Sequence, residues 1–236
     1  MVKKRFAAQI AIYMLGLFIL AFGVVFAINS DLGISPVNAL PFVVSLVSGI
    51  QVGICVTVFL LACIGLQIIL LRRGFKWINL TQIFFSFIFG YFVDLAMFIK
   101  GDFSLAHVVG NFGIPAYVGQ LLMLAISIAL LAIGVALYLE AKLISLPPEG
   151  VVQAIASKLR NGKFHRVKIA MDSILVLMAL AVTLIFMGGV YGLREGTVFS
   201  AIFIGKMIPV AQKFITPILE KIGFRAIGST EQLPTE

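Results

Sequence analysis

The chain has 236 residues, of which 61% are hydrophobic and 12% are charged, and its formal net charge is +8. This composition excludes an ordinary soluble domain and indicates an all-α polytopic membrane protein. The basic residues stand in short clusters between apolar runs, as they do in cytoplasmic loops, which argues against nucleic acid as a partner. Cys55 and Cys63 lie in one apolar run, so we expect small core residues rather than a disulfide or a metal pair.

Six apolar runs are long enough to cross a bilayer, which takes about 20 residues. In chain order the sequence predicts them at 7–28, 52–71, 80–99, 116–140, 167–190 and 197–218. Two shorter helices are predicted at 36–48 and 147–160. Each of these would extend only about 20 Å, which is less than the hydrocarbon core of about 30 Å. We therefore expect six crossings and two short helices that enter the membrane and turn back.

The distribution of charge predicts the topology. With six crossings, one side holds 14 of the 18 basic residues: Lys3, Lys4, Arg5, Arg72, Arg73, Lys76, Lys158, Arg160, Lys163, Arg166, Lys168, Lys213, Lys221 and Arg225. The positive-inside rule makes that side cytoplasmic, together with both termini. If both short helices crossed instead, the cluster at 72–76 would move outside. Eight crossings remain the alternative.

The sequence carries an internal repeat at an offset of 111 residues. Leu20, Ala21, Gly23, Val24, Leu32 and Pro36 match Leu131, Ala132, Gly134, Val135, Leu143 and Pro147, and later Gly49, Gly74 and Gly90 match Gly162, Gly189 and Gly205. Each unit would cross three times, an odd number, so the second would enter from the opposite side. We therefore expect a 3+3 inverted repeat, an architecture of secondary transporters. One membrane domain would comprise residues 1–110, residues 111–222 and a cytoplasmic tail at 223–236.

Each unit is interrupted after its first long helix, at "DLGISPVNAL" and "KLISLPPEGV". Irregular backbone at membrane depth is tolerated where protein or water satisfies it. Ser is a good helix N-cap and Pro suits the first turn, so Ser35-Pro36 and Ser145 to Pro148 are predicted to begin the two short helices. In an inverted repeat their N-termini would face one central site. The alternative is a pair of interfacial loops with ordinary helix caps.

Ionisable side chains within an apolar span are costly and mark functional sites by default. The candidates for coupling or a polar core are Asp94, Lys206, Lys142, Asp172, Thr81 and Thr197. Asp94 is expected to take a coupling proton or cation, and Lys206 is expected to face the interior. Asp172 could instead pair with Arg166 or Lys168, and Glu149 could be a capping carboxylate. Arg194 and Glu195 are expected to form a solvated pair, and His107 and His165 to be loop residues.

The sequence lacks the motifs of an enzyme. It has no HExxH, Walker loop or GxSxG sequence and no paired carboxylates at helical spacing. We therefore expect no catalytic activity, no cofactor and no metal.

Three stretches resemble a known family. "LGISPVNAL" resembles the Leu-Gly-x-x-Pro-Trp-Asp-Val-Leu signature of the YczE/YyaS/YitT family of bacterial membrane proteins, and "NLTQIFFSFIFGYFVDL" is similar to that family's Thr…Gly-x-x-x-Asp segment. "GLREGTVFSAIFIGKMIP" is similar to the corresponding stretch of the second half. Val37-Asn38 stands where Trp-Asp is usual, which removes that carboxylate from the first break, whereas Glu149 keeps one in the second. The resemblance implies a protein of the bacterial inner membrane and gives no substrate.

These observations lead to a functional hypothesis. We expect a secondary transporter or exporter whose small, anionic solute binds at Ser35, Pro36, Asn38, Ser145, Pro147 and Glu149. The expected partners are the lipid bilayer, the solute and a coupling proton or cation, with a homodimer as an open possibility and no nucleic acid. The alternatives are a non-transporting accessory or regulatory membrane protein and a channel-like facilitator.

Overall fold

The structure, a computed structural model, describes residues 2–101, 115–159, 164–221 and 224, and the regular structure of this part of the chain is helical. The helices are α1 (Val2–Ser30), α2 (Pro36–Ser48), α3 (Val52–Leu71), α4 (Thr81–Lys100), α5 (Ala116–Ala141), α6 (Pro147–Lys158), α7 (Phe164–Met187) and α8 (Glu195–Lys221), with short 3-10 turns at Arg72–Gly74 and Trp77–Leu80. The six predicted long helices and two predicted short helices are thus confirmed. By length and composition, six of them could cross a membrane.

Several helix ends differ from the prediction, by up to five residues at the start of α1. α7 begins and ends three residues earlier than 167–190, because the chain leaves the helix at Gly188 with a φ of 66°, which favours glycine. α8 begins at Glu195 rather than at 197. Hydropathy alone does not locate such ends, since apolar residues continue past them.

Helices α1 and α5 form the centre of the molecule and run antiparallel. The amide of Gln9 donates to the carbonyl oxygen of Ala141 at 3.1 Å, and the hydroxyl of Ser127 donates to the carbonyl oxygen of Gly23 at 2.8 Å. Where the helices cross, a Cβ added to Gly134 would lie 2.7 Å from the backbone nitrogen of Leu20. Small residues therefore bring the two backbones into direct contact, as in other membrane helix pairs.

The remaining helices surround this pair. α4 packs on α1 and α8 packs on α5, while α3 packs along α4. The short helices α2 and α6 each contact both α3 and α7. Among the described residues, α7 and α8 do not pack along each other as α3 and α4 do. Large apolar side chains such as Phe98, Ile185 and Phe186 are exposed on the outer surface, as expected for helices that face lipid.

The break between α1 and α2 is buried in the protein. Leu32, Gly33, Ile34 and Ser35 are non-helical and largely shielded from solvent. The carbonyl oxygen of Leu32 accepts a 2.7 Å hydrogen bond from the backbone N–H of Gly196 at the start of α8. Protein groups thus satisfy part of this irregular backbone, which helps to make its burial tolerable.

The break between α5 and α6 is held by two buried glutamines. The side-chain amide of Gln67 in α3 donates to the carbonyl oxygen of Pro147 at 2.9 Å and to the side-chain oxygen of Gln82 in α4 at 3.1 Å. Both glutamines are almost fully buried. Helices α3 and α4 therefore fix the start of α6.

Candidate functional site

A cavity of about 250 Å³ lies between the first turns of the two short helices. Its walls include Leu20 and Leu131, near the middle of α1 and α5, together with side chains of α7 and α8. Most of the lining is apolar, and its polar groups are Ser35, Asn38, Tyr138, Glu149, Lys168, Asp172 and Ser200. The arrangement suits binding of a small molecule that has one polar end. No group of three His, Cys, Asp or Glu side chains suited to a metal occurs among the described residues.

The first turn of α2 contributes Ser35, Pro36 and Asn38 to the lining, as the sequence predicts. Pro36 is the first helical residue, and Ser35 stands at the N-cap position. The hydroxyl of Ser35 makes no capping bond to the backbone; it accepts a 2.9 Å hydrogen bond from the amide of Asn38 instead. The Ser35 side chain therefore accepts no hydrogen bond from the backbone of the first turn, where the N–H groups of Asn38 and Ala39 donate to the carbonyl oxygen of Ser35 instead.

The first turn of α6 differs in part from the prediction. The helix begins at Pro147, but its N-cap residue is Leu146 rather than Ser145. Ser145 and Pro147 do not belong to the cavity lining, whereas Pro148 and Glu149 do. Two consecutive prolines occupy the first helical positions, where neither could donate a hydrogen bond within the helix.

Glu149 forms the most specific polar contact of the cavity. The hydroxyl of Tyr138 in α5 donates a hydrogen bond to Oε1 of Glu149. α6 is not among the six helices long enough to cross a membrane. Burial raises the pKa of the Glu149 carboxyl above its ordinary value, and it outweighs the Tyr138 hydrogen bond and the charge of Lys168, which lower the pKa. Burial therefore disfavours the charged form of Glu149 relative to a carboxyl group in water.

Lys142, one of the predicted polar-core residues, does not line the cavity. It stands at the C-terminal end of α5 in a left-handed conformation, with a φ of 50°, and its side chain is exposed. Of the pairings considered from the sequence, the one between Asp172 and Lys168 is present, with 3.0 Å between Nζ and Oδ1. Both members of this ion pair also line the cavity, so Asp172 is at once an ion-pair partner and a residue of the candidate site.

Asp94 lies outside the cavity lining. Its Oδ1 accepts a 2.7 Å hydrogen bond from the backbone N–H of Gly53 in the first turn of α3. A carboxylate at that position stabilises a helix N-terminus. The structure thus gives Asp94 a helix-capping contact.

Three other predicted residues also lie away from the cavity. The hydroxyl of Thr81 donates to the carbonyl oxygen of Ile78 at 2.7 Å and is exposed. Thr197 is buried against Gly33. Lys206 is exposed on α8, so the expectation that it faces the interior is wrong. The apolar residues around Lys206 suggested burial, but the buried face of α8 is formed by Gly196, Thr197, Ser200 and Ala211.

Outside the site, the expectation for the pair in the loop before α8 is confirmed. Arg194 and Glu195 form an exposed ion pair at 3.4 Å. His107 and the side chain of His165 lie outside the described residues.

The sequence did not single out Tyr138 or Ser200 as site residues. Ser200 is fully buried, and its hydroxyl has no hydrogen-bond partner in the described part of the chain. Tyr138 is one of several aromatic residues in apolar helices, so only the fold reveals its contact with Glu149. A serine within a span is the one signal that could have marked Ser200.

A larger groove of about 690 Å³ lies between α3, α6 and α7. Its lining includes Cys63 and is apolar apart from Arg166. Cys55 and Cys63 are buried free thiols. Because the groove offers almost no polar group that could orient a ligand, the smaller cavity is the better candidate site.

The fold and the cavity define a class. The regular structure of the described residues is helical, and six of these helices are long and apolar enough for a multi-pass membrane protein. Between them lies a small cavity with a few polar groups. The chain belongs to the DUF6198 family, a family of unknown function whose model matches residues 7–213. No curated protein and no solved structure matches the chain. The family model does not name the YczE/YyaS/YitT family, so that resemblance stays a prediction.

Proposed function

We propose that this protein is a secondary transporter or exporter of a small solute that carries a negative group. The observation that carries the proposal is the position of the cavity, which is lined by the first turns of two helices, α2 and α6. Pro36, Pro147 and Pro148 carry no N–H, so few backbone donors remain in these first turns, and the positive ends of the two helix dipoles are what favours an anion. Helix N-termini at a central cavity are typical of substrate sites in secondary transporters.

The charges around the cavity suit an anion when Glu149 is neutral. Lys168 and Asp172 form an ion pair and so offset one another. The remaining charged candidate is Glu149, and its neutral acid would leave the two helix N-termini as the dominant field. Protonation of Glu149 would then accompany binding of the anion, which couples the solute to a proton.

Several contacts support an inverted repeat. α1 and α5, the first helices of the two predicted units, run antiparallel. The packing of α4 on α1 corresponds to that of α8 on α5, and the contact of α2 with α7 corresponds to that of α6 with α3. Asn38 and Glu149 occupy equivalent positions at the starts of α2 and α6 and line the same cavity.

The loop before α8 supports a re-entrant course for α2. Arg194 donates a 3.1 Å hydrogen bond to the carbonyl oxygen of Asp31, just after α1. In the same loop, a Cβ added to Gly192 would lie 2.7 Å from the ring of Phe42, in the middle of α2, and 3.9 Å from Cδ1 of Leu46, nearer its end. One loop thus contacts both the end of α1 and the later part of α2, as expected if α2 turns back toward the side where α1 ended.

The first prediction concerns topology in the bacterial inner membrane. In a chain whose Cys55 and Cys63 are replaced by alanine, single cysteines at Phe75 and Leu159 should react only with reagents applied from the cytoplasmic side. The basic clusters around both positions favour that side. Labelling of position 75 from outside would contradict six crossings, because α2 would then have to cross.

The function itself is tested by transport. Purified protein is reconstituted into liposomes, a proton gradient is imposed in either direction, and a pool of small metabolite anions is added. At least one of these anions should be transported. Pools of neutral and cationic metabolites serve as controls. Movement of cations alone would overturn the assignment of an anion, and no movement from any pool would favour the second candidate below.

Exposed Lys206 favours a second candidate, a non-transporting accessory protein. The residue lies 11 positions after Glu195, which is about 17 Å along α8 and close to the middle of a hydrocarbon core of about 30 Å. A cation at the centre of a lipid-exposed helix costs about 2.5–3.5 kcal/mol. A carboxylate on another membrane protein would offset that cost.

The second prediction separates these cases. Replacing Lys206 with leucine should raise the free energy of unfolding of the isolated, reconstituted protein by up to about 3 kcal/mol, because the exposed cation is removed. The matched control is Lys213→Leu, since Lys213 is exposed nearer the end of α8 and its ammonium can reach the interface. If an acidic partner exists, Lys206→Leu should also shrink the complex extracted from native membranes. Equal sizes of the native and purified wild-type protein would exclude both this partner and a homodimer that forms only in the membrane.

A further inference from the structure

The cavity has an opening between α7 and α8. Three of its lining residues, Ile169 on α7 and Ala201 and Gly205 on α8, are exposed. In the first half of the chain, the equivalent helices α3 and α4 pack along each other, whereas α7 and α8 do not among the described residues. We call this gap the α7–α8 opening.

Matched glycines show the difference between the two halves. A Cβ added to Gly90 in α4 would overlap the hydroxyl of Thr57 in α3, so Gly90 closes the contact between those helices. Gly205 is its counterpart in α8, and a Cβ added there would have no atom within 4 Å. In the first half, α3 thus fills the space beside Gly90 of α4. In the second half, the equivalent space beside Gly205 of α8 is open.

With α7 and α8 as membrane spans, the opening would face the bilayer rather than an aqueous loop. α7 and α8 are both long and apolar enough to cross a membrane. Ala201 and Gly205 lie six and ten residues after the start of α8, about 9 and 15 Å along its axis. At that depth the medium next to a lipid-facing helix is hydrocarbon.

One of the polar residues that line the cavity lacks a hydrogen-bond partner. The hydroxyl of Ser200 lines the cavity, is fully buried and has no hydrogen-bond partner in the described part of the chain. A buried hydroxyl is normally paired, so the unpaired Ser200 points to a ligand that supplies the partner. The remaining walls, such as Leu131, Val135 and Ile208, are apolar.

We infer that the solute is an amphiphile, with a polar, negatively charged head that binds among Ser35, Asn38, Lys168 and Ser200 and an apolar tail that leaves through the α7–α8 opening into the bilayer. This inference rests on the proposed function and specifies its substrate class. A hydrocarbon tail matches the apolar walls and the lipid outside the opening, whereas a fully polar solute would leave both unmatched. The solute therefore enters from within the membrane.

The opening is tested with fluorescent labels and spin-labelled lipid. In the protein whose Cys55 and Cys63 are replaced by alanine, a bimane label goes on a cysteine at Val135, inside the cavity, or at Ile133, which is exposed on the same helix. Phosphatidylcholine with a nitroxide at mid-chain should quench both labels. In Gly205→Trp the indole should block the opening and so protect the label at 135 from the nitroxide, while the label at 133 stays quenched. The open space at Gly205 admits such a large side chain. Gly65, which also has open space, provides the matched control Gly65→Trp.

The substrate class is tested in the same samples with two anions. Dodecyl phosphate should relieve the quenching of the label at 135 at a concentration at least tenfold lower than ethyl phosphate, since only the longer molecule fills the opening. The proposal that the solute is an amphiphile would be overturned if the two phosphates were equally potent. It would also be overturned if aqueous iodide, and not the nitroxide-labelled lipid, quenched the label at 135. If Gly205→Trp leaves transport of a water-soluble anion unchanged, the inference fails and the proposed function stands. If dodecyl phosphate binds as expected but nothing is transported, the amphiphile site stands and the proposed function fails.

Discussion

Replacing Gly134 with valine should prevent the protein from folding stably. A Cβ at this position would lie 2.7 Å from the backbone nitrogen of Leu20, 2.8 Å from the carbonyl oxygen of Gly16 and 2.9 Å from the Cα of Leu20. These are backbone atoms and cannot move aside as a flexible side chain would. The two central helices would have to separate, and we expect a loss of at least about 3 kcal/mol, at the upper end of the range for overpacking.

The loss is measured as the temperature at which half of the purified protein leaves the monodisperse peak after heating. The control is Gly65→Val, because Gly65 also lies within a long helix and a Cβ there would meet nothing within 4 Å. Valine in place of glycine has the same effect on helix propensity at both sites, so the difference between them reports the packing. Equal melting temperatures for the two variants would show that α1 and α5 do not cross at Gly134.

The helices were predictable because hydrophobic length and helix-breaking residues are local properties. A run of about 20 apolar residues identifies a span, and Pro36 and Pro147 mark the starts of the two short helices, as the structure has them. The matched Gly23 and Gly134 were visible only as a repeat. Their contact with the opposite helix depends on how α1 and α5 cross, which no local pattern contains.

The candidate site was predictable on the side of α2 and only partly elsewhere. Ser35, Pro36 and Asn38 were predicted because proline and polar residues interrupt an apolar run, and all three line the cavity. The contact of Tyr138 with Glu149 joins residues on separate helices, so it depends on the fold. Charge within a span was an unreliable guide to the cavity, because Asp94 caps α3 and Lys206 lies on the outer face of α8.

The second large effect concerns the coupling of anion transport to a proton. Glu149→Gln should remove this coupling. Burial raises the pKa of the Glu149 carboxyl, so the wild-type site holds the neutral acid at and below that raised pKa and becomes charged above it. Binding of an anion should therefore be strongest at low pH and weaken as the pH rises through the pKa of Glu149. Glutamine stays neutral at every pH, and its side-chain oxygen can still accept the hydrogen bond from Tyr138. The variant should transport at a rate that does not change with pH.

Uptake into liposomes between about pH 5 and 9 checks this, with Asp94→Asn and Glu140→Gln as companion variants. Glu140 is not part of the cavity lining and accepts a 3.0 Å hydrogen bond from Thr216, so its variant should keep the wild-type pH profile. Asp94→Asn should also keep it and lose only stability, since Asn can still accept from the N–H of Gly53 but lacks the charge that favours a helix N-terminus. If instead Asp94→Asn flattens the profile and Glu149→Gln does not, the coupling proton binds at Asp94.

The same Glu149→Gln variant tests the charge of the solute. For an anion, removal of a carboxylate from the cavity should leave binding at low pH unchanged, because the wild-type group is then already neutral. For a cation, the charged form of Glu149 would be the binding partner, and the variant should bind about 1.5–3 kcal/mol more weakly, the usual value of a hydrogen bond to a charged group. The two cases differ most at high pH. There the variant should bind an anion more tightly than the wild type does, and should bind a cation more weakly. That crossing of the two curves, measured with a single variant, decides whether the two helix N-termini or the carboxylate of Glu149 determines what the cavity binds.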